Sequence, residues 1–187
     1  MCASTLRGLD VRMLARRSRA TRAGGFTLIE ILIVVVILGI LAGILFPQFS
    51  NASLLARENT LREDLRFMRS QILTFRIQHG DVSPGYANGN VGATPTEADF
   101  VDHMLKYSDD QCRVSAAANP AYNYGPYLKQ MPANPLTGAT GVWVVTGPTI
   151  PAPDASQPYG WIYNPETQKF IVNQPGNDAQ GKPYASY

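Results

Sequence analysis

Two features of this sequence combine chemistry with unusual placement. Glu30 is the single charge between Phe26 and Phe46. A carboxylate near the start of an apolar run costs roughly 3 kcal/mol when the run lies in lipid, and such residues tend to be functional. Gly24-Gly25 stands at the junction between an arginine-rich leader and the same run. The other candidates are few. Cys112 has no histidine beside it and no metal-type spacing, and reads as a buried or spectator thiol. His79 and His103 leave little material for an imidazole-based site, and His103, on the polar side of a short helix with no second ligand at i+4, reads as a surface residue. Asp109-Asp110 reads as a solvated turn rather than an acid/base pair. Phosphate-loop, nucleophile-elbow and zinc-protease motifs do not occur in the sequence.

The element that carries Glu30 is the apolar run itself. Phe26 to Phe46 is 21 residues, about 31 Å as a helix, which is enough to cross a bilayer core. Its β-branched residues would also suit a buried strand, but strands rarely exceed about ten residues. Gly39 and Gly43 form a Gly-x-x-x-Gly pair, which either lets helices approach closely or reflects the general frequency of small residues in membrane helices. Pro47 lacks a backbone donor, so a kink or a local loss of hydrogen bonds is expected there.

Charge is distributed unevenly about this run. Residues 1–25 carry six arginines against Asp10, a net +5, while the remainder carries ten basic and thirteen acidic side chains, a net −3. The basic excess therefore belongs to the leader and not to a nucleic-acid surface. An arginine-rich leader ahead of one apolar span predicts a cytoplasmic N-terminus with the rest of the chain outside. A conventional secretory signal is cut after its apolar region, and no small-x-small site follows Phe46 before the polar helix begins.

The combination of a basic leader, Gly25 before the aromatic Phe26, and Glu30 four residues on, in the stretch Gly25-Phe26-Thr27-Leu28-Ile29-Glu30, resembles the type IV pilin and type II secretion pseudopilin family. The likeness is strong from Gly24 to Phe49 and weaker beyond. A second, looser likeness to the major pseudopilin lies in Gly125-Pro126-Tyr127-Leu128, followed by Pro132 and the Asn134-Pro135 turn. The resemblance implies cleavage between Gly25 and Phe26 by a prepilin peptidase and N-methylation of Phe26. It implies an assembly role for Glu30, Gly39 and Pro47, the last two bounding a stretch that is often unwound in family filaments. Cutting there would retain the span and leave Cys112 as the one thiol, since Cys2 goes with the leader. The implied partners are further copies in a filament, other pseudopilins and an inner-membrane assembly platform, with no nucleic acid. The implied location is the bacterial inner membrane, single-pass, with the C-terminal domain periplasmic. Major pseudopilins often bind calcium in an acidic C-terminal loop. Here Asp154, Asn177 and Asp178 are the candidate oxygens, and the fuller Gly-Asp-rich pattern is lacking.

The rest of the chain supplies the body. Leu54, Leu61, Leu65, Met68, Ile72 and Phe75 form one apolar face of a helix over 50–79, with Arg57, Glu58, Arg62, Glu63, Arg66 and Arg69 as its solvated faces. Gly80 stops it. Thr96 caps a short helix, with Asp99 at the box position. Val142–Val145 reads as a strand. Tyr159–Tyr163 and Lys169–Asn173 flank a hairpin turn, with Trp161, Tyr163, Phe170 and Val172 facing the long helix. The polar tail from Gln174 is expected to fray. The expected fold is α+β, a long N-terminal membrane-spanning stem helix packed on a small antiparallel β-sheet domain. Its parts are a leader (1–25), an assembly helix (26–49), an amphipathic stem (50–80) and a globular domain (81–187). The function this implies is a non-enzymatic pseudopilin subunit. One alternative is an adhesion, motility or DNA-uptake pilin, which usually carries a C-terminal disulfide loop that a lone Cys112 cannot form. The other is a membrane-tethered binding domain or enzyme, which would keep its activity as a soluble fragment.

Overall fold

The computed structural model describes residues 25–187, with the side chains of 46–51 left aside. The leader up to Gly24, with its arginines and Cys2, lies outside the described residues. The chain divides into two units, Met1–Leu45 and Phe46–Tyr187. Helix α1, Leu28–Gln78, takes in both the apolar run and the amphipathic stretch, and its assignment includes position 47.

In the second unit the core forms on one face of α1. Leu61, Leu65, Met68, Ile72 and Phe75 are buried, and they cluster with Phe100, Met104, Trp161, Tyr163, Phe170 and Val172. Each such side chain removed from water contributes about 1.5–3 kcal/mol. Phe170 meets Trp161 at 5.5 Å between ring centroids, and Phe100 meets Tyr163 at 4.7 Å. The expected face holds from Leu61 onward. Leu54 is exposed, and the buried residue one turn before Leu61 is Glu58. α1 ends as expected at Gly80, whose φ of +62° takes the left-handed position after a helix. The Asp81 N–H then bonds the Arg76 carbonyl at 2.8 Å.

Helix α2, Glu97–Leu105, starts at Thr96, whose hydroxyl accepts the Asp99 N–H at 3.1 Å. Strands β1 (Tyr107–Ser108) and β2 (Val114–Ser115) make a short antiparallel ladder. Its turn differs from the sequence expectation. Asp109 is buried, its Oδ1 accepting the N–H groups of Gln111 and Arg113 and its Oδ2 the Arg113 Nε–H at 2.7 Å. His103 is also buried, not on a surface. Its Nδ1 accepts the Gly85 N–H and its Nε2–H donates to the Cys112 carbonyl, each at 3.0 Å. Cys112 is buried as expected, and burial pushes its thiol up to about 11.

The larger sheet has the order β3-β4-β5, from Val142–Val144, Trp161–Asn164 and Lys169–Val172. The hairpin β4–β5 is antiparallel as expected, with Trp161 opposite Val172 and Tyr163 opposite Phe170. The expectation of an all-antiparallel sheet is corrected at β3, which runs parallel to β4. The segment between them crosses over instead of turning back, and parallel strands require that. Both faces of β4 are covered, so Ile162 is as buried as Trp161. The arrangement is α+β.

The tail is packed against α1 through hydrogen bonds instead of standing free of the body. Residues 184–186 form a single 3-10 turn. Tyr184 donates its hydroxyl to Glu58 Oε1 at 3.0 Å, and the Ala179 N–H bonds the same oxygen at 3.0 Å. Arg69 donates to the main-chain oxygens of Phe170 and Tyr187. Glu58, Arg62 and Arg69, which read as solvated from spacing alone, are the residues that seat the tail.

Candidate functional site: the start of the apolar helix

Gly25, Phe26 and Thr27 precede the helix and are exposed, Phe26 at 83%. A Cβ added at Gly25 would meet nothing within 4 Å. The Gly25–Phe26 peptide bond thus lies in non-helical, accessible chain, the form a protease needs. The glycine is not demanded by any neighbour within the described fold.

The helix begins at Leu28 because Thr27 and Glu30 close its first turn. The Thr27 hydroxyl oxygen accepts the Glu30 N–H at 3.3 Å. Glu30 Oε2 in return accepts the Thr27 N–H at 2.7 Å and the Thr27 hydroxyl at 2.9 Å. This is a reciprocal capping box, satisfying donors that a helix start leaves unpaired. Hydrogen bonds to a charged group are stronger than neutral ones, so the box offsets part of the cost that a carboxylate carries in lipid. The negative charge also sits at the positive end of the helix dipole. The Thr-x-x-Glu spacing ahead of an apolar run is itself the sequence signal for this box, and attention to the charge of Glu30 alone misses it.

From Leu28 to Leu45 the helix is long and apolar enough to cross a membrane, and none of it is buried within the protein. Large apolar side chains from Leu28 to Leu45 are about half exposed or more. A patch of this size requires a non-aqueous environment or partner helices. A methyl group added at Gly39 or Gly43 would have no neighbour within 4 Å, so both present open backbone. The side chain of Pro47 is outside the described set.

The three candidate calcium ligands receive separate partners. Asp154 Oδ1 accepts the Ser156 N–H at 2.9 Å, and its main chain is held by the Asn173 amide. Asn177 bridges Pro183 through the backbone. Asp178 is engaged by Arg62 and Tyr187. Among the described residues no group of three or more His, Cys, Asp or Glu side chains is placed to hold a metal ion.

No curated protein and no solved structure matches the chain. Residues 21–46, the stretch that holds Gly25, Phe26, the capping box and the whole apolar span Leu28–Leu45, match the prokaryotic N-terminal methylation motif.

Proposed function

We propose that this chain is a pseudopilin, a structural subunit that polymerises through its N-terminal helix into a type II secretion-type pseudopilus. The observation that carries the reading is the coincidence of the methylation-motif match with an accessible Gly25–Phe26 bond and a lone carboxylate opening an exposed apolar helix. In this reading a prepilin peptidase cuts after Gly25, and the new Phe26 amine is methylated. The chain is held in the inner membrane as a single-pass protein with its globular unit in the periplasm. Its partners are further copies, other pseudopilins and the assembly platform.

Glu30 has a specific part in this assembly. Its Oε2 is occupied by Thr27, which leaves Oε1 for a cation. The Phe26 amine of a neighbouring subunit is the cation that cleavage creates. Pairing a costly charge with one partner position favours one axial stagger, so the contact sets register as well as offsetting burial. Gly39 gives close helix approach and Pro47 a local break in the hydrogen-bond ladder.

The decisive experiment is electron microscopy of cells overproducing the protein, with mass spectrometry of the mature N-terminus. A filament whose subunits begin at methylated Phe26 is expected. A protein that starts at Met1, or that is cut beyond Phe46, overturns the reading.

A further inference from the structure

The resemblance to major pseudopilins raises a calcium ion in the C-terminal loop, and the side chains of that loop do not fit one. Calcium takes six to eight oxygens with free lone pairs. Asp178 is the carboxylate at the centre of the loop, and its side chain is only 2% exposed. Its Oδ1 accepts the N–H groups of Gln180 at 2.9 Å and Lys182 at 2.8 Å. Its Oδ2 accepts the Tyr187 hydroxyl at 2.6 Å and Arg62 Nη2 at 2.9 Å. A carboxylate offers about four lone-pair positions, and all four are taken by donors.

We infer that the Arg62 guanidinium stands where a bound cation would, so that the C-terminal loop closes on α1 through the protein's own charge and needs no metal. Arg62 contacts the loop at Asp178, Gln180 and Tyr187. Its Nη2 donates to Asp178 and to the Tyr187 hydroxyl oxygen at 2.6 Å. Its guanidinium carbon lies 4.5 Å from the centre of the Tyr187 ring, which places the charge over the aromatic face. Its Nη1 donates to Asn59 at 2.8 Å, fixing the plane of the group from its own helix. A planar fork can hold a carboxylate, a hydroxyl and a ring together, whereas a lysine ammonium cannot reproduce that geometry. The loop is then tied at two further points. Glu58 Oε1 accepts the Ala179 N–H and the Tyr184 hydroxyl, and Arg69 donates to the Tyr187 main-chain oxygen at 2.7 Å. Glu58, Arg62 and Arg69 lie along one side of α1 at helical spacing, so the stem helix carries the whole clasp.

The test uses the full chain in detergent micelles. Thermal unfolding and limited proteolysis of the tail are followed in calcium chloride and in a calcium chelator, and calcium binding is titrated by calorimetry. The unchanged protein is expected to give the same Tm in both solutions and no saturable calcium heat. Arg62→Ala and Arg62→Lys are expected to expose the tail to protease and lower Tm by roughly 2–8 °C, with alanine the more severe. A Tm raised by calcium in the unchanged protein, or a tail still protected in Arg62→Ala, overturns the inference. Filament formation and N-terminal processing are read separately, so failure of the pseudopilin reading leaves this result standing on its own.

Discussion

Glu30 is bonded to Thr27, three residues before it, through both the main-chain N–H and the hydroxyl of the threonine. The carboxylate that opens the apolar helix therefore has a partner within its own chain. Thr27→Ala deletes two of the three bonds of the box, with an expected cost to the first turn of about 1 kcal/mol, and Thr27→Ser restores them. Hydrogen exchange of the amides at 28–31 in micelles is the measurement, with faster exchange expected for alanine only.

Glu30→Ala and Glu30→Gln remove the charge that, in the proposed assembly, pairs with a neighbouring subunit, and Gln retains the shape. Both variants are expected to insert and be cleaved normally yet give few filaments. Normal filament yield from Glu30→Ala, with cleavage verified by mass spectrometry, would rule out the assembly role.

A Cβ added at Gly25 meets nothing within 4 Å among the described residues. Gly25→Leu is therefore expected to leave the folding of the chain intact and to block only the protease. Its signature is a full-length, membrane-inserted protein that keeps residues 1–25.

His79 and His103 are buried as neutral rings with fixed tautomers. His79 Nδ1–H donates to the Phe75 carbonyl at 2.7 Å and its Nε2 accepts the Ser108 hydroxyl at 3.0 Å. His103 Nδ1 accepts the Gly85 N–H. Burial holds both below the ordinary 6.5, against the pull of Asp109 and Asp110 on His79 and of Asp99 and Asp102 on His103. The unfolded chain takes up protons first, so stability is full above about pH 6.5 and falls as pH drops below it. Tm measured from neutral pH downward should decline in this window, and His103→Gln should flatten the decline.

Asp178 is shifted in the same direction as these rings, but in a lower pH window. The Tyr187 hydroxyl lowers it most. Burial opposes this, and the amides of Lys182 and Gln180 with Arg62 add to the lowering, to about 2 from an ordinary 3.8. The tail contact is present above pH 3.8 and is lost as pH falls from there towards 2. Proteolysis by an acid-active protease should find the tail open in that range, and Asp178→Asn should expose it at all pH values.

Much of this protein is legible in the chain order because its physics is local. The apolar run, the single glutamate, the Thr96 cap, the stop at Gly80 and the β4–β5 hairpin each depend on residues within a few positions of one another. The Thr27–Glu30 box is equally local, and its spacing is open to the same kind of reading. The tertiary structure decided what depends on distant partners. His103 sits on the polar side of α2 by periodicity, but Gly85 and Cys112 bring a donor and an acceptor to its two nitrogens, and the ring is buried. Glu58, Arg62 and Arg69 are charged and helical, which reads as solvent exposure until a tail more than a hundred residues away supplies carboxylate, hydroxyl and carbonyl partners. β3 pairs parallel to β4 because its neighbour is reached by a crossover, and periodicity along a strand carries no information about the direction of its partner.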